Sequence, residues 1–135
     1  MLNTTERDAV GMAPLPPALL LEVFDEPILF YRCYVTLTGS VTAALVLSCA
    51  SIATEQLPDD DRDTGWFTKT SAEWQADTGL TRTELETARR KLKAQGLWHE
   101  RRCGPPPSPL QYRIDQTALY EQLEVQAQRR WKGLV

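Results

Sequence analysis

Apolar positions recur along this chain with two different periods, and the changes between them mark its elements. Residues 41–53 (Val-Thr-Ala-Ala-Leu-Val-Leu-Ser-Cys-Ala-Ser-Ile-Ala) are apolar nearly all round. That predicts a buried central helix, with Ser40 as its N-cap. Upstream, residues 28–35 are rich in β-branched and aromatic types and fit a strand or a short helix equally well. Residues 1–18 hold Gly11, Pro14, Pro16 and Pro17 without a helical period, which predicts a flexible or extended arm. Downstream, Trp66-Phe67-Thr68 reads as a short β piece, and two capping boxes follow it. Thr70-Ser71-Ala72-Glu73 opens a helix that stops at Gly79, and Thr81-Arg82-Thr83-Glu84 opens another that runs to Gln95 and stops at Gly96. Two capped helices joined by a tight glycine turn have the sequence form of a helix-turn-helix, here over 70–95. Residues 97–103 and 110–114 read as strands around a proline-rich tip, a β-hairpin or wing over 97–114. Leu119, Leu123, Ala127 and Trp131 then form one apolar stripe on a last helix, 116–131.

The expected fold class is therefore α+β, mainly α: a winged helix-turn-helix with a small hairpin wing and a C-terminal helix. The arm at 1–18 is followed by one domain over 19–135, which suits a chain of 135 residues with 42% hydrophobic content. The apolar stretch 41–53 is too short to span a bilayer, and Glu6 and Asp8 near the start are unlike a signal peptide. Three cysteines without a CxxC pair argue against a disulfide framework and for a reducing, cytoplasmic setting.

Charge divides the chain further. Residues 1–65 carry 3 basic and 10 acidic side chains, a balance of −7, and residues 66–135 carry 12 and 8, a balance of +4. The overall −3 conceals a basic second half, and a polyanion responds to the local field. At 100° per residue, Leu85, Ala88 and Leu92 fall on the core side of the second capped helix. Thr83, Glu86, Thr87 and Arg90 lie opposite, with Arg82, Arg89 and Lys93 on one shoulder and Lys91 on the other. Arginine and threonine on an exposed helix suit a major groove, where they pair with guanine or touch a thymine methyl. Glu86 fits by accepting from a cytosine amino group or by holding Arg89 or Arg90. Lys69 and the helix N-terminus beside it are placed for phosphate. Arg101 and Arg102 precede the wing tip and alternate between faces, so at most one of them lies on the nucleic-acid side. A solvated charged face is the plainer account of the same helix.

Other chemistry finds less support. Asp59, Asp61 and Asp63 alternate as in a calcium loop, but Thr64 and Thr70 stand where glycine and glutamate are required, so 58–64 reads as a solvated acidic loop. His99 and Cys103 are two zinc-ligand types without a second pair. No GxSxG, Walker A, GxGxxG or HExxH motif occurs, so neither an enzyme nor a cofactor is expected. Trp66, Trp74 and Trp98 are expected as core anchors, with base stacking the alternative. Trp131 is a candidate subunit contact, and the proline-rich tip is an alternative polyproline ligand.

The run Gly65-Trp66-Phe67-Thr68-Lys69-Thr70, with Glu73-Trp74, Thr78-Gly79-Leu80-Thr81, Ala88-Arg89-Arg90-Lys91-Leu92, Gly96-Leu97 and Gln111-Tyr112-Arg113-Ile114-Asp115, resembles winged-helix domains of bacterial, plasmid and phage replication proteins. These are of the replisome-organiser or helicase-loader type. The resemblance spans roughly residues 28–120. It implies binding of double-stranded DNA through the helix at 81–95, with the wing as a second contact, and a homodimer that doubles the footprint. It also implies a replication or regulatory protein partner. Initiators of this type often carry a further domain, for which the sequence ends too soon, so a small regulator or mobile-element accessory protein fits as well. The alternative is a winged helix kept for protein contacts through Trp131, the arm and the acidic loop.

Overall fold

A computed structural model describes residues 30–133 together with 14, 16–19, 27 and 28. Of the arm expected at 1–18 as flexible or extended, only 14 and 16–18 are described, and there residues 17–19 turn helical, the Leu19 amide donating to the Pro16 carbonyl at 3.0 Å; the rest of the arm lies outside the described residues. The ambiguous segment at 28–35 resolves as helix: α1 spans Arg32–Thr38. α2 spans Val41–Glu55, its first turn held by Ser40, whose hydroxyl accepts from the Ala43 amide at 3.1 Å. As the all-round apolar pattern requires, α2 is central. Ala43, Ala44, Val46, Leu47 and Ala50 are fully buried, and the helix packs against α1, the two later capped helices and the sheet. Its buried polar residue, Ser48, accepts from the Tyr31 amide at 3.2 Å and so ties the entry to α1 onto the core.

The segment expected as an acidic loop is instead one helical turn, α3 (Asp59–Arg62). Pro58 stands at its N-cap, and Asp59, Asp60 and Asp61 fill its first turn, where a carboxylate meets the positive end of the helix. Arg62 closes it by pairing with Asp59 and donating to the Glu55 carbonyl at 3.0 Å. Among the described residues, no three His, Cys, Asp or Glu side chains group to hold a metal.

β1 (Phe67–Thr68) leads into α4 (Ser71–Thr78) and α5 (Arg82–Ala94), and both helices open with the reciprocal capping boxes legible in the sequence. Gly79, at φ +73°, ends α4 in the left-handed region, and only Leu80 and Thr81 separate it from α5. α5 ends equally locally. Gly96 adopts φ +74°, its amide donates to Lys93, and the Leu97 amide reaches back to Leu92 at 3.0 Å. This doubled bond brings fully buried Leu97 onto buried Leu92 and fixes where the next strand begins.

β2 (Trp98–Arg102) and β3 (Leu110–Ile114) form the hairpin, and β1 pairs on the far side of β3, giving the antiparallel order β1-β3-β2. Register pairs Phe67 with Tyr112 and Trp98 with Ile114. Strand alternation therefore puts these four on one face, and all are buried. Trp74 joins Phe67, Trp98 and Tyr112 there, with ring centroids 5.4–6.4 Å apart, and this aromatic cluster fastens α4 to the sheet. Trp66 departs from expectation: it lies half-buried on the opposite face, because alternation turns it away from Phe67. α6 (Gln116–Trp131) is capped by Asp115, which accepts from the Ala118 amide at 2.9 Å. Leu119 is buried against the core and Gln122 bonds the Gln95 carbonyl, so α6 braces the end of α5. No helix of the described residues is long and apolar enough to cross a membrane.

Candidate nucleic-acid interface

The buried positions of α5 are Leu85, Ala88 and Leu92, as the 100° spacing requires. Thr83, Glu86, Thr87 and Arg90 are all exposed along the opposite side. The cations expected beside them divide into two groups once carboxylate partners are assigned.

Arg89 and Lys93 turn inward. Both reach Glu100 on β2, whose side chain is only 9% exposed. Arg89 donates from Nε at 2.7 Å and from Nη2 at 3.0 Å to the two carboxylate oxygens, and the Trp98 indole donates at 2.9 Å. Lys93 Nζ lies 2.8 Å from Oε1. Burial pushes the Glu100 carboxyl up, but donation from Arg89, Lys93 and Trp98 outweighs it and holds the group at about 2. Arg89 in turn is pushed above its ordinary value, chiefly by its bond to Glu100, and its guanidinium lies 5.4 Å over the Tyr112 ring. These two cations lock α5 to the hairpin and have little charge left for an external polyanion. Lys69 is redirected likewise. It pairs with Asp77 in the last turn of α4, lies 5.4 Å from the Trp74 ring, and is only 14% exposed. Glu86 holds neither Arg89 nor Arg90; it pairs with Arg82 one turn earlier, at 3.4 Å.

Arg90 stands apart. It is exposed at the C-terminal end of the outward row, and no carboxylate among the described residues lies within ion-pair distance. Lys91 on the other shoulder is likewise without a carboxylate, and so is Arg102 on the hairpin. Arg102 shares the face of Trp98 and Glu100, and its guanidinium donates to the uncharged Ser108 carbonyl at 2.8 Å. Together with Arg82 and the start of α4 it borders a cleft of about 400 Å³ between α4, α5 and the hairpin. Arg101 alternates to the far side of the sheet, so the structure gathers Arg82, Glu86 and Arg102 around the cleft, with Thr83, Thr87 and Arg90 exposed along α5, and leaves Arg101 out.

Glu100 and Arg113 were absent from the sequence-derived set. A lone carboxylate two residues after inward-facing Trp98, within a basic stretch, was the available signal for Glu100. For Arg113 it was the alternation beside inward-facing Tyr112. Compared with known proteins, the chain matches no family model, no curated protein and no solved structure.

Proposed function

We propose that this chain is a winged-helix protein that binds double-stranded DNA sequence-specifically, as a replication-accessory or regulatory factor of a bacterial genome or mobile element. Apart from the single turn of α3, the element order helix–strand–helix–helix–hairpin from α2 to β3 fits that fold. The observation that carries the proposal is the outward row of α5. Arg90 presents an uncompensated guanidinium one turn beyond small, exposed Thr83 and Thr87 on the same side of the helix, a set able to enter a major groove and read guanine and thymine edges. Arg102 and Arg82 flank it as phosphate contacts, and the Glu86–Arg82 pair lessens the repulsion a free carboxylate would exert.

Fluorescence anisotropy of a labelled random duplex tests this. Binding in roughly the 1–100 μM range that falls steeply with salt is expected. Arg102→Ala weakens every duplex about equally and lowers the salt slope by about 1. Absence of binding at low salt contradicts the proposal.

A protein-contact module is the second reading, and one observation favours it. Trp131 is 90% exposed and Tyr120 72% exposed on α6, unusual for large aromatics. Within the DNA-binding proposal the same residues serve the homodimer, which places two copies of α5 on successive half-sites.

A further inference from the structure

The outer face of the sheet carries a second, differently built basic surface. Register places Thr68, Gln111 and Arg101 in one row across β1, β3 and β2, and Arg113 and His99 in the next. Trp66, just before β1, lies over this face. The Arg101 guanidinium is 4.1 Å from the centroid of its ring and that of Arg113 is 5.3 Å away. Arg101 is oriented by its Nε–H, which donates to Gln111 at 2.9 Å, and Gln111 reaches on to Thr68. Neither arginine pairs with a carboxylate among the described residues, and the buried Nε of Arg113 finds no acceptor. Asp115 at the edge is engaged by His99 at 2.9 Å and by the start of α6. Asp63 and Glu121 border the neighbouring cleft without an ion pair to Arg113. The helices that pack closely on the sheet, α2 and α5, do so on its inner, buried side.

We infer that this face binds a single polynucleotide strand, with a base stacked on Trp66 and adjacent phosphates held by Arg101 and Arg113. An aromatic ring beside cations that lack a carboxylate fits such a strand, because every base has a π-face and every linkage an anion. A duplex offers no such base, its faces being already stacked. An extended acidic peptide would use the cations but not the ring. Arg101 covers the indole in the free protein, and a stacking base displaces that guanidinium toward the phosphate. Contact is independent of sequence, since no side chain here is arranged against a base edge. The surface does not depend on the duplex site, as it uses the opposite face of the hairpin.

The test is anisotropy with labelled oligothymidine and oligouridine of about 15 nucleotides, beside the random duplex, at low salt. Arg101→Ala and Trp66→Leu each weaken single-strand binding about tenfold and leave duplex affinity within about twofold, while Arg102→Ala weakens the random duplex and leaves single-strand affinity within about twofold. Quenching of tryptophan emission by the oligonucleotide is lost in Trp66→Leu. If that variant does not fold, Arg101→Ala carries the test alone, since Arg101 is exposed and outside the core. Failure of both oligonucleotides to bind overturns the inference. So does single-strand affinity that Arg101→Ala leaves unchanged, or that Arg102→Ala lowers as much as it lowers duplex affinity, which would mean one shared surface.

Discussion

Replacing Glu100 by alanine is expected to destabilise the fold by about 3 kcal/mol. A carboxyl held at about 2 instead of its ordinary 4.5 corresponds to about 3 kcal/mol of preference for the ionised form in the folded state. Truncation also leaves Arg89, whose side chain is 22% exposed, without a counter-ion, and removes the acceptor of the Trp98 indole. For a domain whose total stability is about 5–15 kcal/mol, that is a large fraction. It lowers the thermal midpoint by about 10 °C. The pH dependence has a definite sign. Because folding depresses this pKa, the stabilisation is complete above the unfolded value near 4.5 and is lost as pH falls toward about 2. The difference between wild type and Glu100→Ala in urea denaturation is thus largest at neutral pH and shrinks below about pH 4. A constant difference down to pH 2 contradicts the assignment. Replacing Arg89 and Glu100 together by leucine restores much of the stability, since the buried charges go together and Lys93, 48% exposed, is left to solvent.

Arg90→Ala has the largest expected effect on recognition. Sites are first selected from a random duplex pool, and the variant then binds the preferred site about 5- to 150-fold more weakly, the equivalent of one lost bidentate base contact of about 1–3 kcal/mol. Preference at one base pair flattens, while affinity for random duplex changes much less. Arg90 is exposed and touches no core residue, so the unfolding midpoint should stay within about 0.5 kcal/mol of wild type. Equal loss on specific and random duplex would reassign Arg90 to phosphate contact. No loss on either would remove α5 from the interface.

What the sequence made legible is what local physics decides. Thr70 and Thr81 each bond an amide three residues ahead, Gly79 and Gly96 supply positive φ, and the alternation of 110–114 is internal to one strand. The helix boundaries of α4, α5 and α6 follow from such signals. The charge pairing does not, because its partners are distant in sequence. Arg89 and Lys93 look like solvated shoulders of α5 until β2 delivers Glu100 beside them, 11 residues beyond Arg89. Lys69 looks free until α4 folds Asp77 back onto it. Trp66 was misplaced for a related reason: which face it takes depends on the two-residue pairing of β1 with β3, too short to show a period. Segment 58–64 was misjudged because four residues carry no periodicity, and the three aspartates there act through the helix dipole. The site thus narrows from ten candidates toward the exposed row of α5 that ends at Arg90.

The most direct test of the central claim is an amide ¹H–¹⁵N correlation spectrum of the labelled protein, titrated with duplex DNA at low salt. Shifts concentrated on the exposed side of α5 around Thr83, Thr87 and Arg90, and on the hairpin at Arg102, are the expected result. Shifts confined to α6 around Tyr120 and Trp131, or none at saturating duplex, would contradict a DNA-reading α5 and favour a protein-contact module.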